Sequence, residues 1–151
     1  EEHLKINYHG TVSNDVLREN LKNTHIFAYP SIWPETSCIC LMEAMSAGLL
    51  CVHPNFAALA ETAANWTNMY QFHEDANHHA GIFYNTLDTS ISTIYDPGVQ
   101  STLASQKAYA NIFYSWNLRQ YQWSQLLTSM KDAPTELPKT QAPTGFFEYR
   151  T

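Results

Sequence analysis

"PETSCICLMEAMSAG", residues 34–48, decides how this chain is read. The stretch is apolar, rich in good helix formers and closed by Gly48, which predicts a buried helix ending on a glycine cap. Yet that helix carries one carboxylate, Glu43, near its middle, and a second, Glu35, stands eight residues upstream. An ionised side chain in an apolar interior is costly unless something pairs with it. Glu43 therefore calls for a partner: a buried backbone N–H, a nearby Tyr or His, or a ligand.

Working outward, the flanking segments alternate between two periodicities. "LKINYHG" (4–10) reads as a strand running into a turn, and Ser13 as the N-cap of a helix over "NDVLRENLKNT", with Asp15 in its first turn and Leu17 and Leu21 on one face. "HIFAYP" (25–30) is a short buried strand stopped by Pro30. Beyond Gly48, "LLCVHP" (49–54) is another strand, "FAALAETAANW" a short helix and "NMYQF" (68–72) a further strand. From Asp75 the positions Ala76, Ala80, Phe83, Tyr84, Leu87, Ile91 and Ile94 recur at steps of three and four, marking the apolar face of a long helix. A break at "DPG" (96–98) precedes a helix from about Val99 to Tyr114. In a last helix Trp116, Trp123, Leu126, Leu127 and Met130 mark a buried face. The rest carries three prolines and no periodicity.

This strand–helix alternation predicts an α/β fold: a Rossmann-like parallel sheet flanked by helices, followed by C-terminal helices. The expected domain spans 4–131, with a Pro-containing tail over 132–151. Such sheets bind ligands at the carboxyl ends of their strands, beside helix N-termini. Residues 34–48 sit at one of those ends.

Composition narrows the partners. With 151 residues, 44% hydrophobic and 13% aromatic, the chain is large enough to bury a core. A net charge of −6 and the lack of any Lys/Arg cluster speak against nucleic acid. No run is long and apolar enough for a transmembrane segment, and "EEHLK" has no leader character, so a cytoplasmic protein is expected. The chain does not begin with Met, which suggests a piece of a longer product. Cys38, Cys40 and Cys51 are an odd number of thiols in apolar surroundings, expected to be reduced and packed. Cys38, Cys40, Cys51 and His53 form a C-x-C…C-x-H set. Helical positions two apart diverge by about 200°, however, so no metal is expected there.

A helix starting near Thr36 or Ser37 presents unpaired N–H groups and the positive end of its macrodipole, a receptor for phosphate. Eight residues at about 1.5 Å each place Glu35 and Glu43 at most roughly 12 Å apart along the axis. That is the reach of a nucleoside diphosphate carrying a sugar. One carboxylate can then accept from ribose hydroxyls and the other from the sugar, while the amides hold the phosphates.

"HG-V" at 9–12, "YPSIWPETSCICLMEAMSAGLLCV" at 29–52 and "ETAAN" at 61–65 together resemble the C-terminal, donor-binding half of a GT-B glycosyltransferase of the family 4 type. Its E-x7-E signature matches Glu35 and Glu43, and "FYSWNLRQYQWSQLL" (113–127) is similar to its final Trp-containing helix. The resemblance implies that Glu35 is the catalytic contact to the transferred sugar and that Glu43 holds the ribose. Amides of Thr36, Ser37, Cys38 and Ile39 would face the diphosphate, and His9 and Gly10 would border the donor. It also implies a retaining hexosyltransferase that uses a nucleotide sugar with no metal or other cofactor. The family's basic pair and its acceptor domain belong upstream of residue 1, so this chain alone is expected to be inactive. The family's Gly-Gly turn is replaced by "HPNFAALAE". The alternative from the residues alone is a non-catalytic nucleotide- or carbohydrate-binding module.

Several residues have plainer readings. Glu61 suits a cap or a surface pair. His78 and His79, about 100° apart on a helix, are expected to be partly exposed and to share no metal. Asn65-Trp66-Thr67 is a sequon read as chance. Trp33, beside Pro34, suits packing under a sugar or against another domain.

Overall fold

The computed structural model describes residues 6–132. They belong to two compact units, one ending at Ser115 and one beginning at Trp116. In the first, β1 (Ile26–Ala28), β2 (Leu50–Asn55) and β3 (Asn68–Gln71) form a parallel sheet in the order β1-β2-β3. Phe27 lies opposite Cys51, and His53 opposite Met69. Helices α1 (Asn14–Lys22), α2 (Ile39–Ala47), α3 (Leu59–Ala63), α4 (Ala76–Thr93) and α5 (Pro97–Phe113) complete the unit. This is the α/β, Rossmann-like arrangement that the alternation predicts.

The expected strand at 4–10 is absent from its described part. Residues 6–10 have no regular structure and are exposed, Ile6 and Tyr8 included. A strand exists by its ladder, and no described strand pairs with this run. The remainder of that stretch, like the tail beyond 132, lies outside the described residues.

β2 is buried from Leu50 to Pro54, as a central strand covered on both faces must be. Its side chains divide by parity. Cys51 joins Leu41, Ala44 and Met45 of α2, Leu59 and Ala63 of α3 and Ala110 of α5. Leu50 and Val52 join Tyr70 and Ile94, with Phe83 and Leu87 of α4 and Val99 and Leu103 of α5 packed against them. Each fully buried Leu or Met side chain contributes about 1.5–3 kcal/mol, so these two clusters dominate the fold.

Two side chains of α5 fasten it to the turn between α2 and β2. Gln106 Nε2 donates to the Leu49 carbonyl at 2.8 Å, and Lys107 Nζ to the last carbonyl of α2, Ala47, at 3.3 Å. Gly48 ends α2 with φ of +90°, its N–H reaching Ala44 O while the Leu49 N–H reaches the same carbonyl. A Cβ at Gly48 would also lie 3.2 Å from Lys107 Cδ.

The apolar face expected for α4 is displaced. Tyr84 and Ile91 are exposed, while the polar His79 and Ser90 are buried with Ile94. The expectation that both His78 and His79 are partly exposed therefore fails for His79. Its Nε2 meets the Tyr70 hydroxyl at 3.1 Å, and its ring lies edge-on to Tyr70 and Phe72. Ser90 is satisfied by donating to Thr86 O and accepting from Asn68 Nδ2. Periodicity counts apolar letters and is blind to polar side chains that bury with partners.

The second unit is described by α6 (Trp116–Lys131), none of whose residues is buried. Trp116, Trp123, Leu126, Leu127 and Met130, expected to be covered, are exposed. Their stripe is present, but one helix has no second described element within its own unit to bury it against.

His53 is fully buried on β2. Its Nδ1–H donates to the Pro54 carbonyl at 3.0 Å, so Nε2 accepts from Thr67 Oγ1 at 2.7 Å. Burial lowers its pKa below 6.5, so below about that pH the unfolded chain binds the proton more readily than the folded one. The stabilisation is complete above 6.5 and declines as pH falls from there toward the folded-state value. Urea midpoints measured from about pH 8 to about pH 5 should therefore drop on the acid side, with a shallower slope in His53→Gln; identical slopes would contradict this. Gly48→Ala, which forces a Cβ into the left-handed region, should cost about 1–2 kcal/mol in the same assay.

Candidate functional site

Glu35 lies in the loop between β1 and α2, at the carboxyl end of the sheet. Its position is fixed three ways. The Tyr29 hydroxyl donates to Glu35 Oε1 at 2.7 Å, the Glu35 N–H bonds Trp33 O, and the Glu35 carbonyl accepts from Ala58 N at 3.1 Å. One carboxylate oxygen is thus engaged, while Oε2 has no partner among the described residues. Tyr29 is held in turn by its own N–H on Val52 O. Its phenol is pushed up to about 12, first by the bond to Glu35 and then by burial.

The bond from Ala58 ties the segment before α3 to the loop around Glu35. Ala57 has φ of +48°, the left-handed conformation that favours glycine, adopted here by alanine.

α2 begins at Ile39, later than the expected start at Thr36 or Ser37, and Cys38 is its N-cap. Thr36 and Ser37 are exposed and non-helical. The first-turn amides are therefore those of Ile39, Cys40 and Leu41, and no side chain caps them. Cys38 is buried, and burial raises its thiol pKa with a smaller push from the Glu35 carboxylate. Ile39 and Cys40 are exposed, so the amino end of α2 opens outward.

Glu43 is not in the apolar interior. Leu41, Ala44 and Met45 form the buried face, and Glu43, about 200° from Leu41, lies opposite it, on the side of the exposed Ile39. Its side chain is 27% exposed and meets Arg18 of α1, with Nε to Oε1 at 3.8 Å. The partner is thus neither a backbone amide nor a Tyr or His. The guanidinium is 61% exposed and also approaches Asp15 at 3.9 Å, so the pair is solvent-screened and weak.

His9 and Gly10 are exposed, Gly10 with φ of +62° and open space around it. The exposed Trp33 stands beside Glu35 in the loop. Glu61 and Asn65 are exposed. Cys38 and Cys51 are buried in one apolar cluster while Cys40 is exposed, and all three are free thiols. Among the described residues no three His, Cys, Asp or Glu side chains come together as a metal site, and no helix is long and apolar enough to cross a membrane.

Tyr29, Arg18 and Ala58 were not singled out from the sequence. Tyr29 had a signal, an aromatic with a hydroxyl at the end of a strand six residues before the carboxylate. The other two contacts depend on how helices and loops dock.

The model of the family described as "Glycosyl transferases group 1" matches residues 2–81, more than half of the chain and a span that includes both carboxylates. No curated protein and no solved structure matches the chain.

Arg18→Ala should change stability by less than about 1 kcal/mol, as expected for an exposed pair. A loss of several kcal/mol in urea unfolding would mean that Arg18 holds α1 on α2 rather than merely facing Glu43.

Proposed function

Since the chain belongs to the group 1 glycosyl transferases, we propose that it is the donor-binding half of a retaining enzyme of the family 4 type that draws on a nucleoside-diphosphate sugar. The observation that carries this reading is the junction of loop and helix. An uncapped, outward-facing helix start stands beside a carboxylate with a free oxygen, and a second carboxylate lies on the exposed side of the same helix.

The diphosphate would meet the amides of Ile39, Cys40 and Leu41, shifted along from the Thr36–Ile39 span expected from the resemblance. Thr36 and Ser37 would offer hydroxyls beside it. In transfer, the bond between sugar carbon and diphosphate oxygen breaks, a bond to an acceptor oxygen forms, and the acceptor's proton leaves. Fixed donors facing the departing diphosphate stabilise the charge that it gains.

Glu35 would accept from a hydroxyl of the transferred sugar through Oε2, oriented by the Tyr29 bond on Oε1. Glu43 would accept from ribose hydroxyls, exchanging a weak contact to Arg18 for stronger charge-assisted bonds. His9 and Gly10 would border the donor from the segment before α1. No metal takes part in this scheme. Donor sugar, base and acceptor would be selected by pocket shape, with the acceptor side supplied by a domain outside this sequence.

Calorimetric titration of the full-length protein with uridine, guanosine and adenosine diphosphate sugars should reveal one preferred donor. Glu43→Ala should weaken its binding about tenfold, the loss of a hydrogen bond to a charged group. Glu35→Ala should leave affinity within about threefold while slowing transfer by roughly a hundredfold or more. Unchanged affinity in the first together with an unchanged rate in the second would remove both assignments.

A further inference from the structure

At the opposite end of the sheet, where β2 and β3 begin, lies a cleft of about 470 Å³ that the donor reading does not use. Leu50 and Asn68, the first residues of those strands, form one wall, the start of α5 another, and Trp66 contributes an indole. Its volume falls within the range of small-molecule sites.

The hydrogen-bonding state of the walls restricts what could bind. Four lining side chains already donate once, Thr67 Oγ1 to His53, Asn68 Nδ2 to Ser90, Thr102 Oγ1 to Gly98 O and Gln106 Nε2 to Leu49 O, and each of the two amide groups keeps a second N–H. Acceptors remain. Gln106 is fully buried, and its Oε1, unpartnered among the described residues, is out of reach of a molecule in the cleft. Among the described residues Asn68 Oδ1 is without a partner, and the Asp96 carboxylate makes no bond to the helix that it precedes. Backbone donors also remain, because the first bond of α5 runs from Gln100 N to Asp96 O and leaves the Gly98 and Val99 amides unpartnered.

This mixture selects against charge of either sign. An ammonium would face the positive end of the α5 dipole, and a phosphate would face Asp96. A hydroxyl both donates and accepts, and so matches acceptors and amides together. The apolar part of the lining, Leu50, Val99 and Leu103 with Trp66, suits the C–H face of a saturated ring.

We propose that this cleft is a second binding site, for a pyranose ring, separate from the donor site and independent of it. Its ring hydroxyls meet Asn68, Asp96 and the start of α5, and its apolar face meets Trp66. A site of this kind would hold a glycan at the far end of the sheet from the transfer chemistry.

The test is a set of heteronuclear NMR titrations of the 151-residue chain with the methyl glycosides of glucose, galactose, mannose and N-acetylglucosamine, with inorganic phosphate and putrescine in parallel. At least one glycoside should shift the Trp66 indole, the Asn68 side-chain amide and the Gly98 and Val99 backbone amides together. Thr102→Trp, an exposed change that fills the mouth of the cleft, should abolish those shifts, and Asn68→Ala should weaken binding roughly tenfold. The proposal is overturned if no glycoside moves this set, if phosphate or putrescine moves it instead, or if Thr102→Trp keeps the native spectrum and binds as before.

Discussion

The structure depends on β2 being buried on both faces at once. A strand in that position must satisfy its backbone on both edges and present apolar or fully paired side chains to both sides. Leu50, Cys51 and Val52 meet the second demand directly. His53 meets it by using both ring nitrogens, on Pro54 O and Thr67 Oγ1. Once β2 is placed, α2 and α3 have one face to cover and α4 the other, and α5 contributes to both. The glycine that ends α2 and the Gln106 bond to Leu49 set where β2 begins.

From that arrangement the two ends of the sheet acquire different chemistry. At the carboxyl end the loop after β1 must turn back into α2, and Glu35 is held there by a phenol, by its own N–H and by the loop before α3. Small, exposed residues then lead to a helix start without a side-chain cap. That combination of a fixed carboxylate and open amides suits an anionic, hydroxyl-rich ligand better than either feature would alone. At the amino end the same strands border a cleft lined by both free acceptors and free amides.

Glu43 shows how magnitudes decide between readings. A buried carboxylate would require a strong partner, but one that is 27% exposed beside an exposed arginine requires little. Burial of Leu41 and Met45, at about 1.5–3 kcal/mol each, holds α2 in place, whereas the Arg18 contact adds less than about 1 kcal/mol. The carboxylate is therefore available to exchange partners at small cost. Had it been locked into a buried pair, a ligand would have had to break that pair first.

By itself the sequence determined the parallel α/β class, the Gly48 cap, the Ser13 cap and the placement of Glu35 and Glu43 on either side of a helix start, because these follow from local periodicity, backbone chirality and residue type. It also carried the match to the group 1 glycosyl transferases over residues 2–81. Tertiary structure alone decided that α2 starts at Ile39, that Glu43 faces Arg18, that Tyr29 holds Glu35, and that His79 and Ser90 rather than Tyr84 and Ile91 enter the core. It likewise left residues 6–10 outside the sheet and the α6 stripe exposed. The physical reason is common to all of these. Whether a polar group is buried, paired or free depends on what is packed against it from distant parts of the chain, and a one-dimensional pattern of apolar letters does not encode that neighbour.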